Sequence, residues 1–385
     1  LCTYCGCTTR ITKNHGVEEP YIDAVLKEWQ LYVSVLGEKP RIKEIHLGGG
    51  TPTFFAPHNL EKLMNGLLDN AVVVDGAEFS FEAHPANTTY AHLKSLFEFG
   101  FRRLSLGIQD FDPTVQEIIN RRQTVAQVEQ VTREARELGY TSINYDLIYG
   151  LPLQKLHTVE DTVNKVIGLL PDRIAFYSYA HVPWIKPGQR RFTEMDLPED
   201  EEKRRLYERG REMLLEAGYF DIGMDHFALP TDSLYEAAQD HTLHRNFMGY
   251  THQYTQLCIG LGVSSIGDSW YGFGQNIKVV EPYIKAVSEG RFPLFKGHIL
   301  TDDDLQHRKE ILNVMCNGST TLDMEFYQVI RERLMPMEKD GLIVIDKDQL
   351  IVTESGKPFL RNICMAFDER LWNNQPQSQI FSTAV

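Results

Sequence analysis

The chain has 385 residues, of which 42% are apolar and 24% charged, so it is long enough for two domains and excludes a disordered, collagen-like or disulfide-miniprotein chain. Its 39 basic and 53 acidic residues give a net charge of −14, which disfavours general attraction to nucleic acid or to an anionic membrane. The longest nearly apolar stretch, Leu257–Val263, is far shorter than the roughly 20 residues of a membrane-spanning helix, and no secretory leader precedes it. These features predict a soluble, cytoplasmic protein.

Helix and strand patterns alternate along the first half of the chain. The periodicity of apolar residues predicts strands at 44–47, 78–82, 104–107, 143–148 and 173–179. It predicts helices at 20–36, 59–68, 88–99, 113–120, 125–138 and 159–170. Asn87 and Thr158 are the expected N-caps of the third and last of these helices. Such βα units in series require parallel strands covered by helices.

The ends of these predicted strands carry glycine or polar residues. The strand-end positions are Gly48–Thr51, Glu82, Gln109, Asp146 and Ala180. A ligand held from the ends of many strands is typical of an α/β barrel, whereas a doubly wound sheet places its site at one switch point. The sequence therefore favours a barrel, which we place in residues 1–205.

A second domain is expected in residues 206–385, where it would cover the active site. The composition changes at Leu197–Arg205 to a highly charged helix start, which marks the boundary. Helical patterns then precede a hairpin in which Leu342–Ile345 and Leu350–Val352 flank Asp346-Lys347-Asp348. This arrangement is typical of a winged helix, but the acidic balance and the run Asp302–Asp304 disfavour DNA binding.

Three of the six cysteines lie in the first seven residues, at Cys2, Cys5 and Cys7. A redox dithiol uses an isolated C-x-x-C at a helix start, and a zinc site needs a second pair of ligands, for which only His15 is near. Iron–sulfur clusters accept thiolates at such short spacings, because one cubane presents several irons close together. The motif favours a cluster, with structural cysteines as the alternative.

A run of glycines, Gly48-Gly49-Gly50-Thr51-Pro52, follows the first predicted strand. Residues without a Cβ let a ligand approach the backbone closely, and they also occur in strained turns that bind nothing. The spacing and lysine of a phosphate-binding loop are absent from this run. We expect a ligand-binding turn, with a purely structural turn as the alternative.

The cysteines, the glycine run and Glu82 at the next strand end together resemble the radical S-adenosylmethionine superfamily. Within it, four further stretches resemble the oxygen-independent coproporphyrinogen III dehydrogenases: Leu147–Pro152, Gly223–Ala228, Leu243–Thr251 and Arg361–Met365. The resemblance implies an incomplete (β/α)6-type, TIM-like barrel and a mostly helical C-terminal domain. It also implies a 4Fe–4S cluster, two S-adenosylmethionine molecules and the anaerobic conversion of two propionates of coproporphyrinogen III to vinyl groups, giving protoporphyrinogen IX for haem biosynthesis.

The resemblance also assigns individual residues. Cys2 and Cys5 match the second and third cluster ligands, whereas Cys7 matches a family cysteine that is not a ligand. The first ligand and the first barrel strand would precede Leu1, so we expect a missing N-terminal segment. The positions that match S-adenosylmethionine contacts are Tyr4, Gly49, Gly50, Thr51, Glu82, Gln109, Arg121, Asp146, Ala180, Phe247 and Ile266. The catalytic assignments are Glu82, to hold the methionine amine, and Asp146, to hold ribose hydroxyls or a second amine. Met248 departs from the family, in which glutamine is expected.

The implied partners are coproporphyrinogen III, an electron donor of the flavodoxin or ferredoxin type, and an electron acceptor, with no nucleic acid and no membrane. Basic side chains should gather near the substrate propionates, and the candidates are Arg102, Arg103, Arg121, Arg190, Arg191 and Arg245. A haem chaperone and a haem-degrading methyltransferase of the same superfamily are the alternatives. Cys7, directly after Gly6, and the segment His244–Thr251 favour the dehydrogenase.

Overall fold

The structure is a computed structural model that describes residues 2–8 and 10–374. The helices are α1 (Glu18–Leu36), α2 (Pro57–Leu68), α3 (Tyr90–Glu98), α4 (Pro113–Ile118), α5 (Val125–Leu138), α6 (Leu156–Leu169), α7 (Asp200–Glu216), α8 (Ser233–Gln239), α9 (Val280–Ser288), α10 (Asp302–Asn317), α11 (Met324–Lys339), α12 (Leu360–Ala366) and α13 (Glu369–Asn373). The strands are β1 (Arg41–Leu47), β2 (Val72–Ala83), β3 (Phe101–Gln109), β4 (Ser142–Tyr149), β5 (Arg173–Ser178), β6 (Phe220–Gly223), β7 (His226–Ala228), β8 (His244–Asn246), β9 (Gly249–Thr251), β10 (Leu257–Cys258), β11 (Ile266–Ser269), β12 (Gly272–Asn276), β13 (Leu294–Ile299), β14 (Ser319–Thr321), β15 (Ile343–Asp346) and β16 (Gln349–Val352). Within the described ranges, no helix has the length and hydropathy needed to cross a membrane.

The chain divides into two compact units. The first contains the residues up to Ala217 together with Thr255–His298, and the second contains Gly218–Tyr254 and the residues from Ile299 onward. This division differs from the single boundary after residue 205 that the composition predicted. Helix α7 belongs to the first unit because it packs against α6, where Arg209 pairs with Glu160 at 2.7 Å.

The core of the first unit is a curled sheet in which β1 to β5 are neighbours in chain order and all parallel. The strands alternate with helices as the sequence predicts. The parallel register pairs Leu47 with Phe81, and Gly107 with Asp146, so the carboxyl ends of the strands lie at one edge. This is the incomplete α/β barrel that was expected. Strands β1 to β4 are longer than the apolar runs that predicted them, and β5 is one residue shorter.

Two of the predicted helix caps are wrong. The hydroxyl of Thr89, not the side chain of Asn87, accepts the His92 N–H at the start of α3, because Asn87 lies in a short helical turn after β2. Helix α6 begins after Lys155, and Thr158 lies in its first turn, where its hydroxyl receives the Lys155 N–H. Thr158 therefore takes part in capping α6 from inside its first turn, as the acceptor of the Lys155 N–H, and is not the N-cap residue.

The segment Thr255–His298 is fixed to α1 by a buried carboxylate. Glu28 accepts hydrogen bonds from the Gly262 N–H at 2.8 Å, the Asn276 amide at 2.6 Å and the Tyr283 hydroxyl at 2.6 Å. Burial raises the pKa of Glu28, and these three donors oppose that rise. The helix α9 also packs its Tyr283 against α1 in a small apolar cluster. This network explains why a segment from late in the chain belongs to the first unit.

The second unit is mostly helical. Helices α10, α11 and α12 bury an apolar core that includes Val314, Ile330 and Phe367. The strands β15 and β16 form an antiparallel hairpin whose turn contains Lys347, and β14 pairs with β16. The predicted helical domain with a winged-helix-like hairpin is confirmed. Two further hairpins, β6–β7 and β8–β9, also belong to this unit.

Candidate functional site

The predicted strand-end residues of the first unit lie at the carboxyl edge of its sheet. Gly48–Thr51 follows β1, Glu82 lies near the end of β2, and Gln109 ends β3. Asp146 lies in the second half of β4, and Ala180 comes two residues after β5. Gln109 has a φ of 66°, a conformation that non-glycine residues adopt rarely and that often occurs at functional sites. Because the five strands are parallel, these residues share one edge.

The Glu82 carboxylate is anchored to the glycine turn after β1. Its Oε2 accepts the backbone N–H of Gly49 over 3.1 Å, and its Oε1 lies 3.5 Å from Nε2 of His46. A Cβ on Gly48 would lie 2.5 Å from the His46 Nε2 and 2.9 Å from the Glu82 Oε1. Any other residue at position 48 would force one or both of these side chains to move.

The Asp146 carboxylate belongs to a closed triangle of side chains on β3 and β4. Ser105 Oγ donates to Asp146 Oδ2 at 3.1 Å, and the Asn144 amide donates to Asp146 Oδ1 at 2.8 Å and to Ser105 Oγ at 2.9 Å. Burial, together with the negative charge of Glu82, raises the pKa of Asp146 to about 7. The two hydrogen bonds and Arg121 oppose this rise. Two carboxylates thus share one edge of the sheet, and the charge of Glu82 disfavours ionisation of Asp146.

Arg121 joins the third strand to the cysteine loop, which we define as residues 2–7. Its guanidinium donates to the backbone carbonyl of Gly107 and to Gln123 Oε1 at 3.1 Å, and it reaches Cys2 Sγ at 3.6 Å. A Cβ on Gly107 would lie 2.9 Å from the Arg121 Nη2, so this glycine makes room for the guanidinium. No sequence signal marks the role of Gly107, because this glycine lies inside an ordinary strand pattern.

The cysteine loop is held by the end of α4. Thr3 donates its backbone N–H to Ile119 O at 2.9 Å and its hydroxyl to Ile118 O at 3.0 Å. Cys2 and Cys5 are half-buried, and Cys7 is exposed. The hydrogen bond from the Cys7 thiol lowers the pKa of Cys5 to about 6, and the same contact raises the pKa of Cys7. The Tyr4 ring packs on an apolar cluster beside α4, and burial raises its pKa.

These residues fit a cluster and a sulfonium cofactor only in part. In residues 2–8 and 10–374, no three His, Cys, Asp or Glu side chains converge as ligands of one metal ion. Cys2 and Cys5 supply two thiols, and the Arg121 guanidinium lies 3.6 Å from the Cys2 Sγ. The anchored carboxylates and the exposed glycine backbone at Gly49 and Gly50 match the amine and hydroxyl groups of S-adenosylmethionine. The residues present therefore suit S-adenosylmethionine and supply two of the three thiolates that the cluster needs. The third thiolate is an expectation.

Two other candidates lie away from these strand ends along the chain. Ile266 is the first residue of β11 in the first unit. Its backbone lies close to Gly260, since a Cβ on Gly260 would lie 2.5 Å from Ile266 O. Phe247 lies in the turn of the β8–β9 hairpin of the second unit and is 57% exposed. Met248 lies beside it and is also exposed. The cofactor contacts of Phe247 and Ile266 stay predictions.

The expectation that Arg102 and Arg103 serve the ligand edge is wrong. Both lie at the start of β3, roughly 20 Å along the strand from Gln109. Arg103 pairs with Glu78 at 3.0 Å, and Arg102 donates to Phe101 O at 2.8 Å. Their place just before the predicted strand at 104–107 already puts them at its amino end, opposite the ligand edge. Arg121 does reach the site.

The remaining basic candidates differ in their surroundings. Arg190 and Arg191 are exposed on the short helical turn Pro187–Arg191 that follows Ala180. Among the described residues, neither forms an ion pair. Arg245 lies in the second unit, with its guanidinium 4.7 Å from the Tyr250 ring centroid. Arg190 and Arg191 are therefore available to an anionic group.

The chain resembles known proteins over almost its whole length. Residues 1–166 match the family model described as the radical SAM superfamily. The chain is 37% identical to the oxygen-independent coproporphyrinogen III oxidase of Synechocystis sp., over 100% of this chain and 85% of that relative. It is 38% identical to the protein of the same description from Pseudomonas aeruginosa, over 96% of this chain and 83% of that one. The solved structure of coproporphyrinogen III oxidase from Escherichia coli, described as a radical SAM enzyme, matches at 36% identity with a TM-score of 0.93, over 96% of this chain and 88% of that one. The likeness therefore includes both units.

Proposed function

Because this chain belongs to the family of oxygen-independent coproporphyrinogen III oxidases, we propose that it converts two propionate side chains of coproporphyrinogen III to vinyl groups, giving protoporphyrinogen IX for haem biosynthesis. The observation that carries this proposal is the pair of anchored carboxylates, Glu82 and Asp146, at the strand ends that follow the cysteine loop and the glycine turn. A likeness at more than 35% identity that extends over both units supports it.

The cofactors are a 4Fe–4S cluster and S-adenosylmethionine, as in the radical SAM superfamily. When bound, these groups would supply the one-electron radical chemistry that removes a hydrogen atom from the β-carbon of a propionate. Cys2 and Cys5 would hold the cluster. Loss of CO₂ and of one further electron then leaves the vinyl group, so the reaction needs an electron acceptor as well as a donor.

The residues of the strand edge hold and orient groups of the cofactor. Glu82, fixed by the Gly49 N–H, would accept a charge-assisted hydrogen bond from the methionine ammonium. Backbone groups of Gly49, Gly50 and Thr51 would line the same pocket. A ligand ammonium near Asp146 would favour its ionised form, whose pKa is about 7 without such a partner. Arg121, between Cys2 and Gly107, adds a fixed positive charge for a carboxylate.

We also propose that two S-adenosylmethionine molecules bind and that Cys7 is not an iron ligand. Glu82 and Asp146 lie on neighbouring parts of the edge and could each hold one amine, which supports a second molecule. Cys7 is exposed and donates its backbone N–H to Cys5 Sγ at 3.4 Å. That contact is typical of a residue that supports a ligand thiolate rather than of one that binds iron itself.

The partners follow from the chemistry. The donor is proposed to be a flavodoxin-type or ferredoxin-type protein, and the location the cytoplasm. Lys186, Arg190 and Arg191 supply three positive charges close in sequence to Gln189, which contacts the cysteine loop, in a chain of net charge −14. This local patch would suit an acidic carrier or the substrate propionates. These two roles of the patch can be distinguished by replacing the protein donor with dithionite, a chemical reductant that does not need a docking site.

The experiment that tests the function is product analysis under anaerobic conditions. The full-length protein, loaded with iron and sulfide, is incubated with S-adenosylmethionine, dithionite and an electron acceptor, once with coproporphyrinogen III and once with haem. We expect protoporphyrinogen, CO₂, methionine and 5′-deoxyadenosine with the first substrate, and no modified haem with the second. The Cys5→Ala variant should give no product. Consumption of haem, or tight haem binding without chemistry, would contradict the proposal and favour the methyltransferase or the chaperone.

A further inference from the structure

One buried side chain joins the cysteine loop to the end of β5. Gln189 lies in the turn Pro187–Arg191 and is only 1% exposed. Its Nε2 donates to Tyr4 O at 2.9 Å and to Ala180 O at 3.1 Å, and its Oε1 accepts the Val182 N–H at 2.6 Å. Two carbonyl acceptors on one side and one N–H donor on the other fix which end of the amide is nitrogen. Each polar atom of the carboxamide is therefore satisfied.

These contacts lie at a junction of the site. Tyr4 stands between Cys2 and Cys5, so its carbonyl belongs to the backbone that carries both thiols. Ala180 follows β5, at the strand end where the family resemblance places a contact with S-adenosylmethionine. The cysteine loop has no regular secondary structure, and Thr3 ties it to α4 on one side. Gln189 ties it to β5 on the other side.

We propose that Gln189 is a positioning residue that sets the place of the cluster-binding loop relative to the end of β5. This inference rests on the proposed function, since it takes Cys2 and Cys5 as cluster ligands. The carboxamide is the chemical requirement, because only an amide of this length donates two hydrogen bonds and accepts one. Asparagine is one methylene shorter, and glutamate has no donor when ionised.

The decisive variant is Gln189→Glu. It keeps the length and the acceptor for the Val182 N–H, but it places an oxygen against the carbonyls of Tyr4 and Ala180. At neutral pH, we expect amide hydrogen exchange in residues 2–7 of the cluster-free protein to be about tenfold faster than in the wild type, because two hydrogen bonds are lost. Protonation of the new glutamate restores one donor, so the excess exchange should shrink as the pH is lowered. Gln189→Ala should show the fast exchange without the pH-dependent recovery.

A second readout uses the cluster-loaded, full-length protein. The electron paramagnetic resonance spectrum of the reduced cluster reports how S-adenosylmethionine approaches the iron. In both variants at neutral pH, we expect iron to be lost to a chelator at least several-fold faster and the spectral change on adding S-adenosylmethionine to be weakened. Neither readout depends on turnover.

Gln154→Ala is the matched control. Gln154 is 2% exposed and makes a comparable set of bonds, donating to Asp110 Oδ2 at 2.6 Å and to Ile148 O at 2.8 Å and accepting the Leu151 N–H at 3.1 Å. It has no bond to the cysteine loop. We expect it to lower the melting temperature about as much as Gln189→Ala does, while loop exchange, iron retention and the spectrum stay as in the wild type.

The outcomes separate the inference from the proposed function. If the Gln189 variants match Gln154→Ala in loop exchange, iron retention and spectrum, Gln189 is merely structural and the inference is overturned. If the wild-type protein binds no cluster, the inference is overturned too. If the cluster forms and the Gln189 variants behave as expected, but coproporphyrinogen III is not consumed, the inference is supported and only the proposed function fails.

Discussion

The Glu82 carboxylate accepts the backbone N–H of Gly49 over 3.1 Å, which fixes the end of β2 to the glycine turn after β1. A strand-end carboxylate held in this way needs no reorganisation before it receives a cation, because its direction is already set. The contact also links two sequence motifs, a glycine run and an acidic strand end, that lie 33 residues apart.

Replacing Glu82 by glutamine should weaken S-adenosylmethionine binding while preserving the fold. The amide oxygen can still accept the Gly49 N–H, but the charge that meets the methionine ammonium is lost. A charge-assisted hydrogen bond contributes about 1.5–3 kcal/mol, so the Kd should rise by roughly 10- to 100-fold. The Kd is measured by calorimetry, with Glu78→Gln as the control, since Glu78 lies near the middle of β2, four residues before Glu82, and pairs with Arg103. Equal affinity in the Glu82 variant and the wild type would contradict the assignment.

Replacing Gly48 by alanine should damage the same contact by crowding. The new Cβ would lie 2.5 Å from the His46 Nε2 and 2.9 Å from the Glu82 Oε1, so both side chains must move. We expect S-adenosylmethionine affinity to fall about tenfold or more, with far-ultraviolet circular dichroism unchanged. Gly168→Ala in α6 is the matched control, because a Cβ there has no neighbour within 4 Å. A Gly48 variant with wild-type affinity would show that the close approach has no functional role.

Asp146 should make the stability of the cofactor-free protein fall with rising pH. Its pKa is about 7 in the folded protein against an ordinary value of 3.8, so between these values the folded state keeps a proton that the unfolded chain has released. The free energy of unfolding from this group is thus highest below pH 4 and declines up to about pH 7. Asp146→Asn cannot ionise, so its stability relative to wild type should increase over that window.

The difference is measured by urea unfolding of both proteins at pH 5, 6, 7 and 8. One pKa unit corresponds to about 1.4 kcal/mol, and about two units separate pH 5 from the folded pKa of about 7, so a gain on the order of 2–3 kcal/mol is expected between pH 5 and pH 8. A constant difference between Asp146→Asn and wild type at all four pH values would exclude the raised pKa.

Cys5 and Cys7 should respond differently to replacement by serine. Cys5→Ser removes a proposed iron ligand, whereas Cys7→Ser keeps the backbone N–H that supports Cys5 Sγ. After anaerobic reconstitution of the full-length protein, we expect iron content near the wild-type value for Cys7→Ser and a loss of most iron for Cys5→Ser. Iron analysis and the visible absorbance of the cluster give the answer. Equal loss in both variants would make Cys7 a ligand.

The buried Glu28 should be required for the attachment of Thr255–His298 to α1. Glu28→Ala leaves the Gly262 N–H, the Asn276 amide and the Tyr283 hydroxyl without their acceptor, so we expect a loss on the order of 3 kcal/mol in the free energy of unfolding. Hydrogen exchange should increase across the segment that contains Ile266. The neighbouring Lys27 is exposed on the same helix, and Lys27→Ala should change stability by less than about 0.5 kcal/mol. Unaltered exchange in the Glu28 variant would contradict the role.

The sequence by itself determined the order of strands and helices in the barrel and the place of its glycine turn. It also determined that Glu82, Gln109 and Asp146 lie in the carboxyl-terminal parts of successive strands, because hydrophobic periodicity and strand breaks are local signals. The hairpin of β15 and β16 was predictable for the same reason. Parallel strands then oblige their carboxyl ends to share one edge.

Only the tertiary structure decided which side chains meet at that edge. The triangle of Ser105, Asn144 and Asp146 depends on the register between β3 and β4, and the contact of Gln189 with Tyr4 joins residues 185 positions apart. The return of Thr255–His298 to the first unit likewise follows from packing. Contacts between distant residues depend on how whole elements pack, and a local pattern carries no information about that packing.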